Sequence, residues 1–259
     1  MKHPITIIKI GGAVLEDEEQ LNVLLCHFSA IQGYKMLVHG GGRHATQVAA
    51  ELGIDTKMIH GRRVTDSAMI EVVIMVYGGL VNKRVVAGLQ ARGINAIGLT
   101  GADADIIRAH CRPIKDNIDY GWVGDIDFVN GSRLQQLIES DLTPVLAPLS
   151  HDAEGQLLNT NADTIAAETA KALADIYDVT LVYCFEKAGV LARPDDESSI
   201  IPFITRQLFE RQLSEGIISG GMIPKLQNAF SAIDSGVTRV IITGATAADW
   251  GKGTVVRTE

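Results

Sequence analysis

IIKIGGAVL (Ile7–Leu15) and LVHGGG (Leu37–Gly42) decide the reading of this chain. Each is a short apolar run that stops at a cluster of glycines, Gly11-Gly12 in the first and Gly40-Gly41-Gly42 in the second. Such runs suit strands buried on both faces. Glycines at the carboxyl end of a parallel strand let backbone N–H groups approach an anion, with a helix N-terminus behind them. Ligands of α/β sheets bind at that end. Either cluster alone can be no more than a tight turn. Two of them, on strands that follow one another, favour one anion site.

The same alternation runs through the rest of the chain. Strand-like runs recur at Ile5–Ile10, Lys35–His39, Asn95–Leu99, Thr143–Ala147, Val179–Tyr183 and Arg239–Thr243. Amphipathic stretches separate them at Glu18–Ile31, His44–Leu52, Ser67–Arg92, Asn161–Asp175, Arg206–Glu215 and Met222–Ser235. Strand alternating with helix predicts an α/β fold, a three-layer αβα sandwich on a mostly parallel central sheet. Ile106–Phe128 breaks the rhythm with two alternating runs around Asn117 and Asp119, which reads as a β-hairpin. Arg193–Ser199 reads as a surface loop. Ser67–Arg92 is apolar on more than one face, which suits burial between subunits or in the core.

Bulk properties narrow the function. The 259 residues are 46% hydrophobic and 21% charged, an ordinary globular balance for one large domain or two packed lobes. A net charge of -8 argues against a nucleic-acid surface. The three cysteines, Cys26, Cys111 and Cys184, are far apart and no metal-binding spacing occurs, so three reduced thiols and no dedicated metal site are expected. The run before Gly11 is too short for a secretory segment, and no apolar stretch of ~18 residues stands out, so a cytoplasmic protein off the membrane is expected. No P-loop motif is present. Gly40–Ala45 does satisfy G-x-G-x-x-A, but no acidic residue clearly ends a strand about 20 residues on, which leaves an NAD(P)-dependent oxidoreductase as a secondary reading.

Six segments are more specific: IIKIGGAVL (Ile7–Leu15), LVHGGG (Leu37–Gly42), HGRRVTD (His60–Asp66), GWVGDI (Gly121–Ile126), GQLLNTNAD (Gly155–Asp163) and EGIISGGMIPKL (Glu215–Leu226). In this order, over nearly the whole chain, they resemble the acetylglutamate kinases of arginine biosynthesis, in the amino acid kinase family. The resemblance implies ATP, accompanied by Mg²⁺, as phosphoryl donor and the γ-carboxylate of an N-acylglutamate as acceptor. It implies Lys9 and Lys225 as the cations on the transferring phosphoryl group, with Asp163 orienting them. Gly41, Gly42, Arg63 and Asn159 are the implied contacts to the acylglutamate, and Gly11, Gly12 and Glu186 those to the nucleotide. Chemistry agrees, because a carboxylate attacking a phosphate needs positive charge and N–H donors. Plainer roles remain open: a snorkelling lysine at a strand end for Lys9, a helix-dipole partner for Asp163, and a helix N-cap for Asn161. Arg62 reads as a surface residue.

The resemblance also divides the chain into an acylglutamate-binding, dimer-forming lobe at 1–176 and an ATP-binding lobe at 177–259. It departs from the family in three places. Glu186 stands in Phe185–Leu191 where an aspartate is usual; only 15 residues follow Gly244; and Met1 lies four residues before the first strand, leaving no room for the N-terminal helix of arginine-inhibited members. The expectation is a homodimer insensitive to arginine. The acyl group is the weakest point. Acetyl is usual for the family, whereas a succinyl group needs a further cation, for which Arg43, Arg62 and Lys187 are candidates.

Overall fold

The computed structural model describes residues 2–193, 195–218, 220–245, 250 and 253–258. Pro194 of the expected loop and Ser219 of the Glu215–Leu226 segment lie outside the described residues. In chain order the first half contains β1 (Pro4–Ile10), α1 (Gly12–Glu16), α2 (Glu18–Ala30), β2 (Tyr34–His39), α3 (Gly42–Glu51), β3 (Met58–Ile59), β4 (Arg62–Arg63), α4 (Ser67–Val73), a π-helical turn (Ile74–Val81), α5 (Asn82–Gln90), β5 (Ala96–Leu99), β6 (Ile107–Cys111) and β7 (Gly124–Val129). The second half contains α6 (Gly131–Glu139), β8 (Thr143–Leu146), β9 (Leu149–His151), β10 (Leu157–Asn159), α7 (Ala162–Ala174), β11 (Asp178–Phe185), β12 (Phe203–Ile204), α8 (Arg206–Ser214), α9 (Met222–Asp234), β13 (Arg239–Gly244) and β14 (Thr254–Val256).

These elements form two compact bodies, Met1–Met36 with Ala166–Glu259, and Leu37–Ile165. Strand pairing sets the limits of these bodies. β1 pairs in parallel with β11 from Pro4↔Asp178 to Ile10↔Cys184, so the N-terminal strand joins the body built by the end of the chain. In that first body β11 also pairs in parallel with β13, β14 runs antiparallel to β13, and β12 runs parallel to β14. Ile5, Ile7, Ile8 and Ile10 of β1 are each at most 1% exposed, so both faces of the strand are covered. That is why the segment is apolar without alternation. The α2 helix is capped by Asp17, whose side chain accepts from the Gln20 N–H, and it buries Leu24, Leu25 and Phe28.

In the second body β8 is the central strand, parallel both to the end of β2 (Leu37↔Val145) and to β5 (Ala96↔Thr143). The expected hairpin is present as β6 and β7, antiparallel with a bulge between Arg108 and Ala109. It is part of a four-stranded sheet in the order β10-β9-β6-β7. β3 and β4 form a small antiparallel ribbon. Each of these two strands is two residues long, too short to produce a readable alternation.

The Ser67–Gln90 helix is 24 residues long, and by length and composition alone it could cross a membrane. The expectation that no such apolar stretch exists is therefore corrected. Its buried residues include Met69, Val73, Val76, Tyr77, Val81, Val85 and Leu89, which makes it a core helix of this body. Its centre is not α-helical. Ile74–Val81 is π-helical, and the Asn82 N–H reaches back to the Tyr77 carbonyl, an i→i−5 bond. That extra residue per turn puts Tyr77 and Asn82 on the same inward face.

Gly124 shows how tightly the four-stranded sheet is packed. A Cβ there would lie 2.8 Å from both Ser150 Oγ and Thr160 Oγ1, which hydrogen-bond each other at 2.6 Å, and 2.9 Å from Leu158 Cβ. Gly124→Ala is expected to cost about 1–3 kcal/mol. A lowered urea midpoint with an unchanged m-value checks it; an unchanged midpoint would contradict this packing.

Candidate active site

The second body contains a cleft of ≈190 Å³ whose walls include Gly40–Gly42, Arg62, Arg63, Tyr77, Val123, Asn159 and Asn161. Three of the recognised segments meet here through the backbone. The Thr65 N–H donates to the Tyr120 carbonyl at 2.9 Å, the Trp122 N–H to the Thr65 carbonyl at 2.6 Å, and the Asn159 N–H to the Trp122 carbonyl at 2.8 Å. Asn159 Nδ2 donates to Thr65 Oγ1 at 2.9 Å, which fixes the side chain at the cleft wall. The Asn161 side chain accepts from the N–H groups of Asp163 and Thr164 at 2.9 and 3.0 Å, so it caps α7 and also lines the cleft. Asp163 sits in the first turn of that helix, where the dipole favours a carboxylate.

Arg63 is 8% exposed. Its Nη2 donates to the Gly42 carbonyl at 2.7 Å and to Thr46 Oγ1 at 2.8 Å, and its Nη1 to Thr56 Oγ1 at 3.2 Å. All these acceptors are neutral, and among the described residues Arg63 makes no ion pair. A buried cation without a counter-charge is costly. Here it lies beside the N-terminus of α3, which begins at Gly42 and whose dipole also favours an anion. Such an arrangement can accept a carboxylate.

The glycines are required by their neighbours. A Cβ on Gly41 would lie 2.8 Å from Cδ1 of Tyr77. The Tyr77 hydroxyl is pushed upward in pKa by burial, and the adjacent Arg63 works against that shift. On the other side of the loop, His39 Nδ1 lies 2.6 Å from the Gly40 carbonyl and Nε2 lies 3.1 Å from Asn82 Nδ2. The carbonyl can only accept and the amide nitrogen only donates, so the ring is neutral with its proton on Nδ1. Asn82 Nδ2 donates also to the Val145 carbonyl at 3.0 Å, tying the loop to β8. Fixing the Gly40 carbonyl fixes the N–H of Gly41 in the same planar peptide. His39 belongs to the Leu37–Gly42 segment, but nothing local marks it as the support of the loop, and Tyr77 and Asn82 lie in none of the six segments.

The first body holds the other candidates. Lys9 lies in β1 opposite Tyr183 and is 7% exposed. Its charge opposes the upward shift that burial imposes on the Cys184 thiol. The Gly11 N–H donates to the Cys184 carbonyl at 3.0 Å, and a Cβ on Gly11 would come within 3.3 Å of that oxygen. Gly12, the first residue of α1, has open space where a Cβ would be. Lys225 is the fourth residue of α9 and half-buried. A second cleft of ≈190 Å³ is walled by Phe185, Lys187, Val190, Leu191, Ile218 and Met222 among others. Glu186 is exposed and does not line it; its neighbours on either side do. Among the described residues no group of three or more His, Cys, Asp or Glu comes together to hold a metal.

Fold and site together define a phosphotransferase of the α/β class, and the chain belongs to the amino acid kinase family, whose family model matches residues 4–244. Within that family it falls among the acetylglutamate kinases. It is 61% identical over 257 residues to the acetylglutamate kinase of Phocaeicola vulgatus, covering 99% of this chain and 100% of that protein. It is 58% identical to the acetylglutamate kinase of Bacteroides fragilis, over 99% and 98% of the two chains. The crystal structure of smu.665 from Streptococcus mutans superposes with a TM-score of 0.82 at 27% identity, covering 98% of this chain and 99% of that one. This relationship gives no support to the oxidoreductase reading of Gly40–Ala45.

The buried neutral His39 makes stability depend on pH. Burial holds its pKa down at about 4 in the folded protein, against 6.5 for an ordinary histidine. The unfolded chain binds the extra proton between those values, so stability falls as pH drops from 6.5 toward 4. The shift corresponds to roughly 3 kcal/mol. Urea midpoints at pH 7 and pH 4.5 are expected to differ accordingly, and the difference should shrink in His39→Gln. An equal pH dependence in the two proteins would contradict the assignment.

Proposed function

We propose that this chain transfers the γ-phosphoryl group of ATP to the γ-carboxylate of N-acetyl-L-glutamate, giving the acyl phosphate and ADP, in arginine biosynthesis. The observation that carries the reading is the buried Arg63 guanidinium, surrounded by neutral acceptors at the start of α3. It is matched to a substrate α-carboxylate, which a guanidinium can grip with two parallel hydrogen bonds. Asn159, held by Thr65, addresses the acylamino part, and the N–H groups of Gly41 and Gly42 address the reacting carboxylate. The acylglutamate is thus assigned to the body Leu37–Ile165, and the nucleotide to the body that carries Gly11, Gly12, Phe185–Leu191 and α9.

Phosphoryl transfer spreads charge over three oxygens and asks the protein mainly for position and positive charge. Lys9 and Lys225 are assigned that charge, and Asp163, in the first turn of α7, is kept as the carboxylate of the catalytic set that the family resemblance implies. Gly11 and Gly12 offer a close backbone approach to the phosphates. Glu186, being exposed, is assigned an outer contact to the nucleotide. Mg²⁺ is assigned to the nucleotide's own phosphates and water, which suits a cation that dehydrates reluctantly. No step here runs through it. The proposal places the enzyme in the cytoplasm, where its substrates are.

A coupled ADP-release assay over glutamate, aspartate, N-acetylglutamate and N-succinylglutamate tests the reading. Turnover is expected with acylglutamates only, and turnover with free glutamate or aspartate alone would overturn it. Lys225→Ala is expected to lower kcat on the order of 10²–10³-fold with little change in KM. Arg63→Gln should mainly raise KM for the acylglutamate. Near-normal turnover in Lys225→Ala would remove that residue from the mechanism.

The chain is further proposed to form a homodimer through the Ser67–Gln90 helix. Met75, 53% exposed, and Leu80, 36% exposed, leave apolar surface on this helix. Light scattering at micromolar concentration is expected to give twice the chain mass, and Met75→Glu should lower it. A monomer in the unaltered protein would overturn the assignment.

A further inference from the structure

The cleft of the second body carries more positive charge than an acetylglutamate uses. Arg63 serves one carboxylate. Arg62, next to it on β4, also lines the cleft and is half-buried rather than fully exposed as a surface residue would be. Successive side chains of a strand point to opposite faces, so the two guanidiniums meet different surroundings. Arg63 reaches Gly42 and Thr46, whereas Arg62 feels Arg112, Asp125 and Tyr120.

The charge around Arg62 does not balance. Arg112 grips Asp125 through Nε at 3.2 and 3.1 Å to the two carboxylate oxygens and through a further contact from Nη2. Asp125 is thereby engaged, and among the described residues Arg62 makes no ion pair. Burial and the Arg112 charge both push Arg62 below its usual pKa range. This corner adjoins the cleft wall, because the Arg112 N–H donates to the carbonyl of Val123 at 2.8 Å and Val123 lines the cleft. Of the other two cations that could serve an acyl group, Lys187 lies in the other body and pairs with Glu197 at 3.6 Å. Arg43 is exposed on α3 and does not line the cleft.

We propose that Arg62 receives a carboxylate at the far end of the substrate's acyl group, so that the enzyme favours acylglutamates built from a dicarboxylic acid over acetylglutamate. The inference rests on the acylglutamate kinase reading above and specifies the substrate of that same site. Two guanidiniums lining one cleft, with the apolar side chains of Val123 and Met58 also in its wall, fit a ligand that carries two carboxylates joined through methylenes. An acetyl methyl would instead leave Arg62 desolvated and unanswered.

The experiment compares kcat/KM for N-succinylglutamate and N-acetylglutamate in the full chain and in Arg62→Gln. Measuring both substrates on one preparation makes the ratio independent of how much of the variant folds. A succinyl preference of tenfold or more, reduced at least tenfold by Arg62→Gln, is the expected result. An unaltered enzyme that prefers the acetyl compound, or a succinyl preference that Arg62→Gln leaves in place, overturns the proposal while the kinase reading stands. ADP release with neither compound overturns the kinase reading itself.

Discussion

A guanidinium kept out of water with only neutral acceptors around it sets the constraint on which the second body depends. Arg63 can be buried because the Gly42 carbonyl, Thr46 and Thr56 take its N–H groups. That requirement brings the start of α3 against β4. It also explains why the chain between β2 and α3 is glycine. The loop lies against the Tyr77 ring, where a Cβ on Gly41 would come within 2.8 Å of Cδ1.

The support behind the loop has the same logic. His39 and Asn82 are 43 residues apart in sequence, yet both are buried and hydrogen-bonded to each other. Each polar atom of the pair that the structure places in the core has a partner, so the network stiffens the loop instead of penalising the fold. The π-helical turn makes this possible. In a regular α-helix Tyr77 and Asn82, five residues apart, would diverge by more than a quarter of a turn. The wider turn lets one helix hold the loop by ring contact at Tyr77 and by hydrogen bonding at Asn82.

Much of this was legible beforehand. The six strands read from apolar runs occur as β1, β2, β5, β8, β11 and β13, and the antiparallel hairpin at 106–128 occurs as β6 and β7. The body boundaries were not legible, because they follow from which strands pair, and β1 pairs with a strand about 170 residues later in the chain. β3 and β4 escaped because two residues carry no period. Arg62 was read as a surface residue because nothing local distinguishes it from its neighbour. Its place in the cleft comes from how β4 packs near Val123 and the Arg112–Asp125 pair.

By itself the sequence determined the α/β class, the glycine loops and the acylglutamate kinase resemblance. Those are carried by short-range signals: apolar period, turn residues and local motifs that keep their spacing. Only the tertiary structure decided that Arg63 is buried without a counter-charge, that His39 is neutral, and that Arg62 faces the same cleft. Each of those properties depends on the desolvation and charge contributed by residues distant in the chain. Electrostatic energies are set by what surrounds a group in space, and no window of sequence contains that information.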